Sequence, residues 1–167
     1  MGIEPRPEGT SDISLQLLRE NFPNDILDTL LPQGDATALI RPQSLIKIID
    51  FLKKDPRLLF DALVDITAVD FPERKPRFDV VYHLLSLAFN RRLRIKTAVE
   101  ENEPVDSVTP FWGSANWLER EVWDMFGIRF SGHPDLKRIL MYDEFQGHPL
   151  RKDYPIQKRQ PRIGPKI

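Results

Sequence analysis

The order of periodicities along this 167-residue chain predicts an α+β fold. Three observations carry that expectation. Two stretches repeat apolar residues at helical spacing, a pair of short apolar runs flanks a Pro-Gln-Gly-Asp turn, and three β-rich runs follow one another, the last alternating strictly. In order they read helix, two strands, helix, three strands: two helices packed on a mainly antiparallel five-stranded sheet, then a short helix and an extended proline-rich C-terminal arm. The expected divisions are a flexible N-terminus over 1–10, an α+β domain over 11–100, and a helix plus extended arm over 101–167 whose large apolar side chains bury against the same domain or another chain.

The first helix opens at Ser11 or Asp12, either able to cap, carries Ile13, Leu17 and Leu18 as its apolar stripe, and ends near Pro23. Ile26 to Leu31 and Ala36 to Ile40 read as strands of a hairpin turning at Pro32-Gln-Gly-Asp35. Pro42 suits the first turn of a second helix, whose Leu45, Ile48, Ile49 and Leu52 share a face before Pro56 stops it. Leu58 to Val69 is almost continuously apolar or β-branched and is expected to be a strand covered on both faces, with Asp61 and Asp65 where one face meets polar surroundings. Phe78 to Leu87 is the next strand. In Arg92 to Val99, Leu93, Ile95, Thr97 and Val99 fall on one face and Arg92, Arg94, Lys96 and Ala98 on the other. Beyond Glu100, seven prolines (104, 110, 134, 149, 155, 161 and 165) impose extended, irregular backbone except over a helix that Ser114 can cap and Gly127 can end.

Bulk properties bound the function. At 41% hydrophobic and 29% charged, with no apolar run approaching the ~18 residues of a membrane span, the composition is that of a soluble globular domain. Membrane contact is expected only through partners, and Met1 to Glu8 lacks the pattern of a secretory signal, which points to the cytoplasmic side. The absence of cysteine excludes disulfides, thiolate nucleophiles and thiolate-held iron–sulfur clusters. The net charge of −1 conceals +5 from Arg151 onward against −6 before it, so the tail suits either a negatively charged partner or a solvated, disordered end. Phosphate- and dinucleotide-binding glycine motifs and the Gly-x-Ser-x-Gly elbow are absent, and no aromatic residues interleave with the basic tail as nucleic-acid binding would require.

The chemically richest segment runs from Trp117 to Leu140 and resumes at Gly147 to Pro155. Helical geometry sends Glu119 and Glu121 to nearly opposite sides, so they cannot converge on one ion. Arg120 and Asp124 share a side. Asp124 sits in the last turn, where the helix dipole disfavours an anion, so a cation is expected beside it, from Arg120 or from a partner. His133 and His148 each precede proline, which suits turns. A metal-dependent enzyme built on those two histidines is the distant alternative, although no compact ligand spacing is present. His83 reads as a polar side chain on the less buried face of its strand.

The motif Glu119-Arg-Glu-x-x-Asp124-Met-Phe, six further residues to His133, and Lys137-x-Ile139-Leu140 closely resembles the signature of the 30 kDa subunit of respiratory complex I, the C subunit of bacterial proton-pumping NADH:quinone oxidoreductase. Asp65-Ile-Thr-Ala-Val-Asp70, Phe78-x-Val-Val-Tyr82-x-Leu-Leu-Ser86 and His148-Pro-Leu-Arg-Lys-Asp-Tyr-Pro155 resemble that family's segments in the same order, so the likeness covers roughly residues 12–156. The resemblance implies a non-catalytic structural subunit of the peripheral arm at the cell membrane. Its tail would lie on the 49 kDa (D) subunit, with B and I as further neighbours. Flavin mononucleotide, iron–sulfur clusters and quinone would be held by those other subunits, and none by this chain. Glu119, Arg120, Glu121, Asp124, His133, Arg138, His148, Arg151 and Asp153 are the expected interface or scaffold residues. The equivalent subunit of a membrane-bound hydrogenase or ferredoxin-dependent complex is the alternative within this class.

Overall fold

A computed structural model describes residues 12–32 and 35–160. The expected flexible lead-in over 1–10, Ser11 as a cap, the turn centre at Gln33 and Gly34, and the basic residues Arg162 and Lys166 lie outside these. The elements are α1 (Ile13–Asn21), β1 (Ile26–Leu30), β2 (Thr37–Ile40), a 3₁₀ turn at Pro42–Ser44 running into α2 (Leu45–Lys54), β3 (Ala62–Asp70), β4 (Phe78–Ser86), β5 (Arg91–Val99), β6 (Val105–Asp106), α3 (Ala115–Phe126) and β7 (Phe130–Ser131). The expected helix–strand order is therefore present. Asp12 caps α1 by accepting from the Ser14 amide at 2.8 Å, a contact worth about 0.5–2 kcal/mol. Along α2, Leu45, Ile48, Ile49 and Leu52 are completely buried, and such side chains contribute roughly 1.5–3 kcal/mol each.

The five-stranded sheet has the order β1-β2-β5-β4-β3. Its neighbours are antiparallel except β2 and β5, which run parallel. β2 and β5 are far apart in sequence, and the crossover through α2, β3 and β4 allows the parallel pairing that a hairpin cannot. Ile66, Val80, Tyr82, Leu84, Leu93 and Ile95 face one cluster shared with all three helices. Among the described residues no helix is long and apolar enough to cross a membrane.

β3 departs from its expectation. Only one of its faces is covered: Leu63, Ile66 and Ala68 are buried, whereas Val64 is 48% and Val69 38% exposed. A bulge between Leu63 and Asp65 puts Val64 out of step, and the helices lie on a single side. Leu58 and Phe60 are not in the strand; Leu58 ends the turn before it, Phe60 follows two residues on, and both are buried in the core.

The apolar cluster also runs past residue 100. Val105, Val108, Trp112, Ala115, Val122, Met125, Phe126, Ile128 and Phe130 all belong to it, so the first part of the segment read as an arm helps build the core. α3 packs against β3, and the Trp112 indole donates to the Asp61 carbonyl at 2.9 Å. The character then changes: none of residues 131–160 is buried.

Candidate functional site

The C-terminal segment is held chiefly by polar anchors, with Leu136 and Met141 packed part-buried against the core, and those anchors use most of the residues singled out in the sequence. α3 supplies the first. Its start does not use Ser114 as a cap. That residue makes no capping bond, because the preceding turn already provides carbonyls: Ala115 donates to Trp112 at 3.1 Å and Asn116 to Gly113 at 3.2 Å. Its end follows expectation, with Gly127 left-handed at φ +82° and its amide bonded to the Trp123 carbonyl at 2.8 Å.

Asp124 is wholly buried in that last turn. Its Oδ1 accepts from the Arg138 guanidinium at 2.5 Å, and its Oδ2 accepts from three successive backbone amides, Ile139 at 3.1 Å, Leu140 at 2.9 Å and Met141 at 2.8 Å. Burial by itself would push this carboxyl up. The three amides and Arg138 prevail and hold it below the usual carboxylate range. The compensating cation is thus Arg138, neither Arg120 nor a partner group. Arg120 instead donates to the carbonyls of Lys137 at 3.1 Å and Arg138 at 2.8 Å and lies over the Trp117 ring, steadying the strand of chain that carries the cation.

The histidines serve the same fastening. His133 Nδ1 accepts from the Asp135 amide at 3.0 Å, which leaves the proton on Nε2 to be donated to the Asn116 carbonyl at 3.0 Å. His148 Nδ1 lies 3.0 Å from the Asp124 carbonyl, an acceptor, so this ring carries its proton on Nδ1. Each ring closes a turn onto α3. Among the described residues no three His, Cys, Asp or Glu side chains converge as a metal site would require.

Gly127 faces His148 so closely that a Cβ there would lie 2.7 Å from the imidazole. Gly127→Ala is therefore expected to cost about 1–3 kcal/mol from left-handed backbone strain, and more as His148 is displaced. Urea denaturation measures the loss, and faster exchange of the Leu150 amide, which bonds to the Met125 carbonyl at 3.0 Å, reports the released turn. An unchanged midpoint would contradict this packing.

A second anchor joins the tail to the far end of the sheet. Arg77 grips Asp70 with two bonds, 2.7 and 2.8 Å, and reaches Asp153 at 3.0 Å. Arg151 bonds Asp153 at 3.0 and 2.9 Å and Glu101 at 2.6 Å, while the Lys152 amide donates to Asp70 at 2.7 Å. Arg77 beside Asp70 holds that carboxyl below its usual range, and Arg151 with Arg77 does the same to Asp153. Between the two anchors opens a polar cleft of about 350 Å³, lined among others by Phe78, Glu101, Trp123, Arg138, His148 and Arg151.

Arg77 and Glu101 do not stand out in the sequence, and Asp70 stands out only as the end of the Asp65–Asp70 segment, because no local spacing links these residues to Arg151 and Asp153. The available signal was the charge asymmetry: a basic tail seeks acidic groups, and this chain's own acidic body supplies Asp70 and Glu101. Glu119 and Glu121 diverge as expected. Glu121 is exposed, whereas Glu119 is wholly buried, its two oxygens accepting from the Val108 amide and the Ser107 hydroxyl at 2.7 Å each. Burial dominates and raises this carboxyl from 4.5 to about 7.

Residues 38–160 match the family model for the respiratory-chain NADH dehydrogenase, 30 Kd subunit. The chain is similar to the C subunit of NADH-quinone oxidoreductase from Paramagnetospirillum magneticum, 48% identical over 142 residues, which are 84% of this chain and 71% of that protein. The same subunit from Cereibacter sphaeroides is 48% identical over 149 residues, 89% of this chain and 74% of the relative. NADH-ubiquinone oxidoreductase subunit 9 of Reclinomonas americana is 48% identical over 135 residues, 81% of this chain and 66% of the relative.

Proposed function

The chain belongs to the 30 kDa subunit family of respiratory-chain NADH dehydrogenase, and from that membership we propose that it is a non-catalytic structural subunit of a proton-translocating NADH:quinone oxidoreductase. In this reading it sits in the peripheral arm on the cytoplasmic side of the cell membrane. Its C-terminal segment lies on the 49 kDa (D) subunit, with B and I as neighbours. Electrons pass from NADH through flavin mononucleotide and iron–sulfur clusters in other subunits to quinone, and this chain braces the subunit that receives them.

The observation that carries the reading is the state of residues 131–160. They are tied to the domain at a few polar points, yet expose large apolar side chains: Leu140 is 55%, Leu150 51% and Ile156 100% accessible. A segment shaped by its own anchors but leaving its apolar groups in water is prepared to bury them against another chain. Pre-shaping reduces the conformational entropy lost on docking, and the surrounding charges set register and partner choice.

Glu121 offers the clean test. It is exposed on α3 and has no ion-pair partner among the described residues, so Glu121→Lys should leave the fold intact. The expected result is a several-fold fall in recovery of the chain with the assembled complex. Arg151→Glu, which also breaks the second anchor, should lower recovery further. Normal assembly and NADH:quinone reductase activity in both variants would refute the docking role.

A further inference from the structure

The sheet face turned away from the helices has a chemistry that the described residues answer only in part. Antiparallel sheets usually cover one face and wet the other, and a wet face ordinarily mixes charge signs with small polar groups. Here three of the four outward positions of the central strand β5, Arg92, Arg94 and Lys96, are cationic, spaced about 6–7 Å apart by the two-residue repeat, and the acidic groups near them are Asp35 and Asp65, the latter on β3 opposite His83. His83 lies directly across from Arg94. Arg94 has Thr37 at 3.3 Å and a distant Asp35 at 3.7 Å. Arg92 and Lys96 have no ion-pair partner among the described residues, whereas Arg74, Arg77, Arg138 and Arg151 all do.

The cationic row does not stand alone. Val64 and Val69 are exposed on the same side, in positions where a solvated strand carries polar groups. Val64, His83, Arg92 and Arg94 line one shallow hollow of about 120 Å³, which Asp35 also lines. A phosphate backbone would satisfy the cations but leave these valines wet, and no aromatic side chain on this row offers a base a stacking surface. A protein segment with acidic side chains at alternating or helical spacing and an apolar edge would satisfy both.

We propose that this open sheet face is a second docking surface, separate from the C-terminal segment, and that it takes an acidic, amphipathic segment of another subunit of the complex. The proposal rests on membership of a multi-subunit oxidoreductase but not on where the C-terminal segment docks. The two are tested apart by placing a photoreactive benzoylphenylalanine at Val64 in one strain and at Leu140 in another, then irradiating the purified assembled complex and identifying adducts by mass spectrometry.

From Val64 the expected adduct is a stretch of a different subunit rich in Asp and Glu. The double charge reversal Arg92→Glu/Lys96→Glu is expected to lower retention of that subunit through a salt wash by roughly tenfold, with the Leu140 adduct preserved. No protein adduct from Val64, or one to a second copy of this chain, to lipid or to nucleic acid, overturns the proposal, as does unchanged retention in the charge-reversed complex. A Val64 adduct with none from Leu140 would support this surface and count against the docking of the C-terminal segment instead.

Discussion

Asp124→Asn is expected to destabilise the folded chain by about 3–5 kcal/mol, the usual consequence of removing one member of a buried ion pair. The wild-type carboxylate satisfies Arg138 and three consecutive amides at once. Asparagine presents one acceptor oxygen and an NH₂ group, so it leaves a guanidinium without a counter-charge and turns donors toward donors. Trp123 lies under Arg138, so its fluorescence should follow the change in urea. Amide exchange at Ile139, Leu140 and Met141 should rise together. A loss below about 1 kcal/mol would mean that the other anchors suffice. Because Asp124 is held below the usual carboxylate range, its contribution is complete above the unfolded pKa and vanishes as pH falls through the folded one. The wild-type segment should therefore loosen on acidification, and the Asn variant should lack that component.

Glu119→Gln should have the opposite sign. A carboxyl raised from 4.5 to about 7 binds its proton more tightly folded than unfolded, so its stabilising effect is full below pH 4.5 and is lost as pH rises toward 7. The difference is on the order of 3 kcal/mol. Ionised Glu119 also faces the buried Tyr82 hydroxyl, which is held protonated by burial and by Glu119 and Asp106. Glutamine reproduces the neutral acid: its oxygen can accept from Val108, and its NH₂ can donate to the Ser107 hydroxyl, which can turn toward Thr109 at 2.8 Å. The variant should match wild type below about pH 4 and exceed it by up to about 3 kcal/mol near pH 8. Every other titration is shared, so the difference between the two stability–pH curves isolates this group. Parallel curves would show that Glu119 titrates normally.

Much of the fold was legible because helix and strand periodicities are local. The α2 stripe of Leu45, Ile48, Ile49 and Leu52 and the alternation of Leu93, Ile95, Thr97 and Val99 follow from how a backbone of fixed geometry presents its side chains. The divergence of Glu119 from Glu121 could be read for the same reason, as could the left-handed stop at Gly127. The coverage of β3 could not. A run of apolar and β-branched residues looks alike whether one face or two is packed, and only the placement of the helices decided it.

The anchors divide along the same line. Sequence by itself determined the strands, the helices and the family to which the chain belongs. Tertiary structure alone decided the partners of the anchoring residues: Arg138 instead of Arg120 for Asp124, Asp70 and Glu101 for the basic turn at Arg151, and backbone carbonyls for both histidines. Periodicity is fixed within a few residues of chain. An ion pair forms wherever folding removes two groups from water together, and that depends on the path of everything between them.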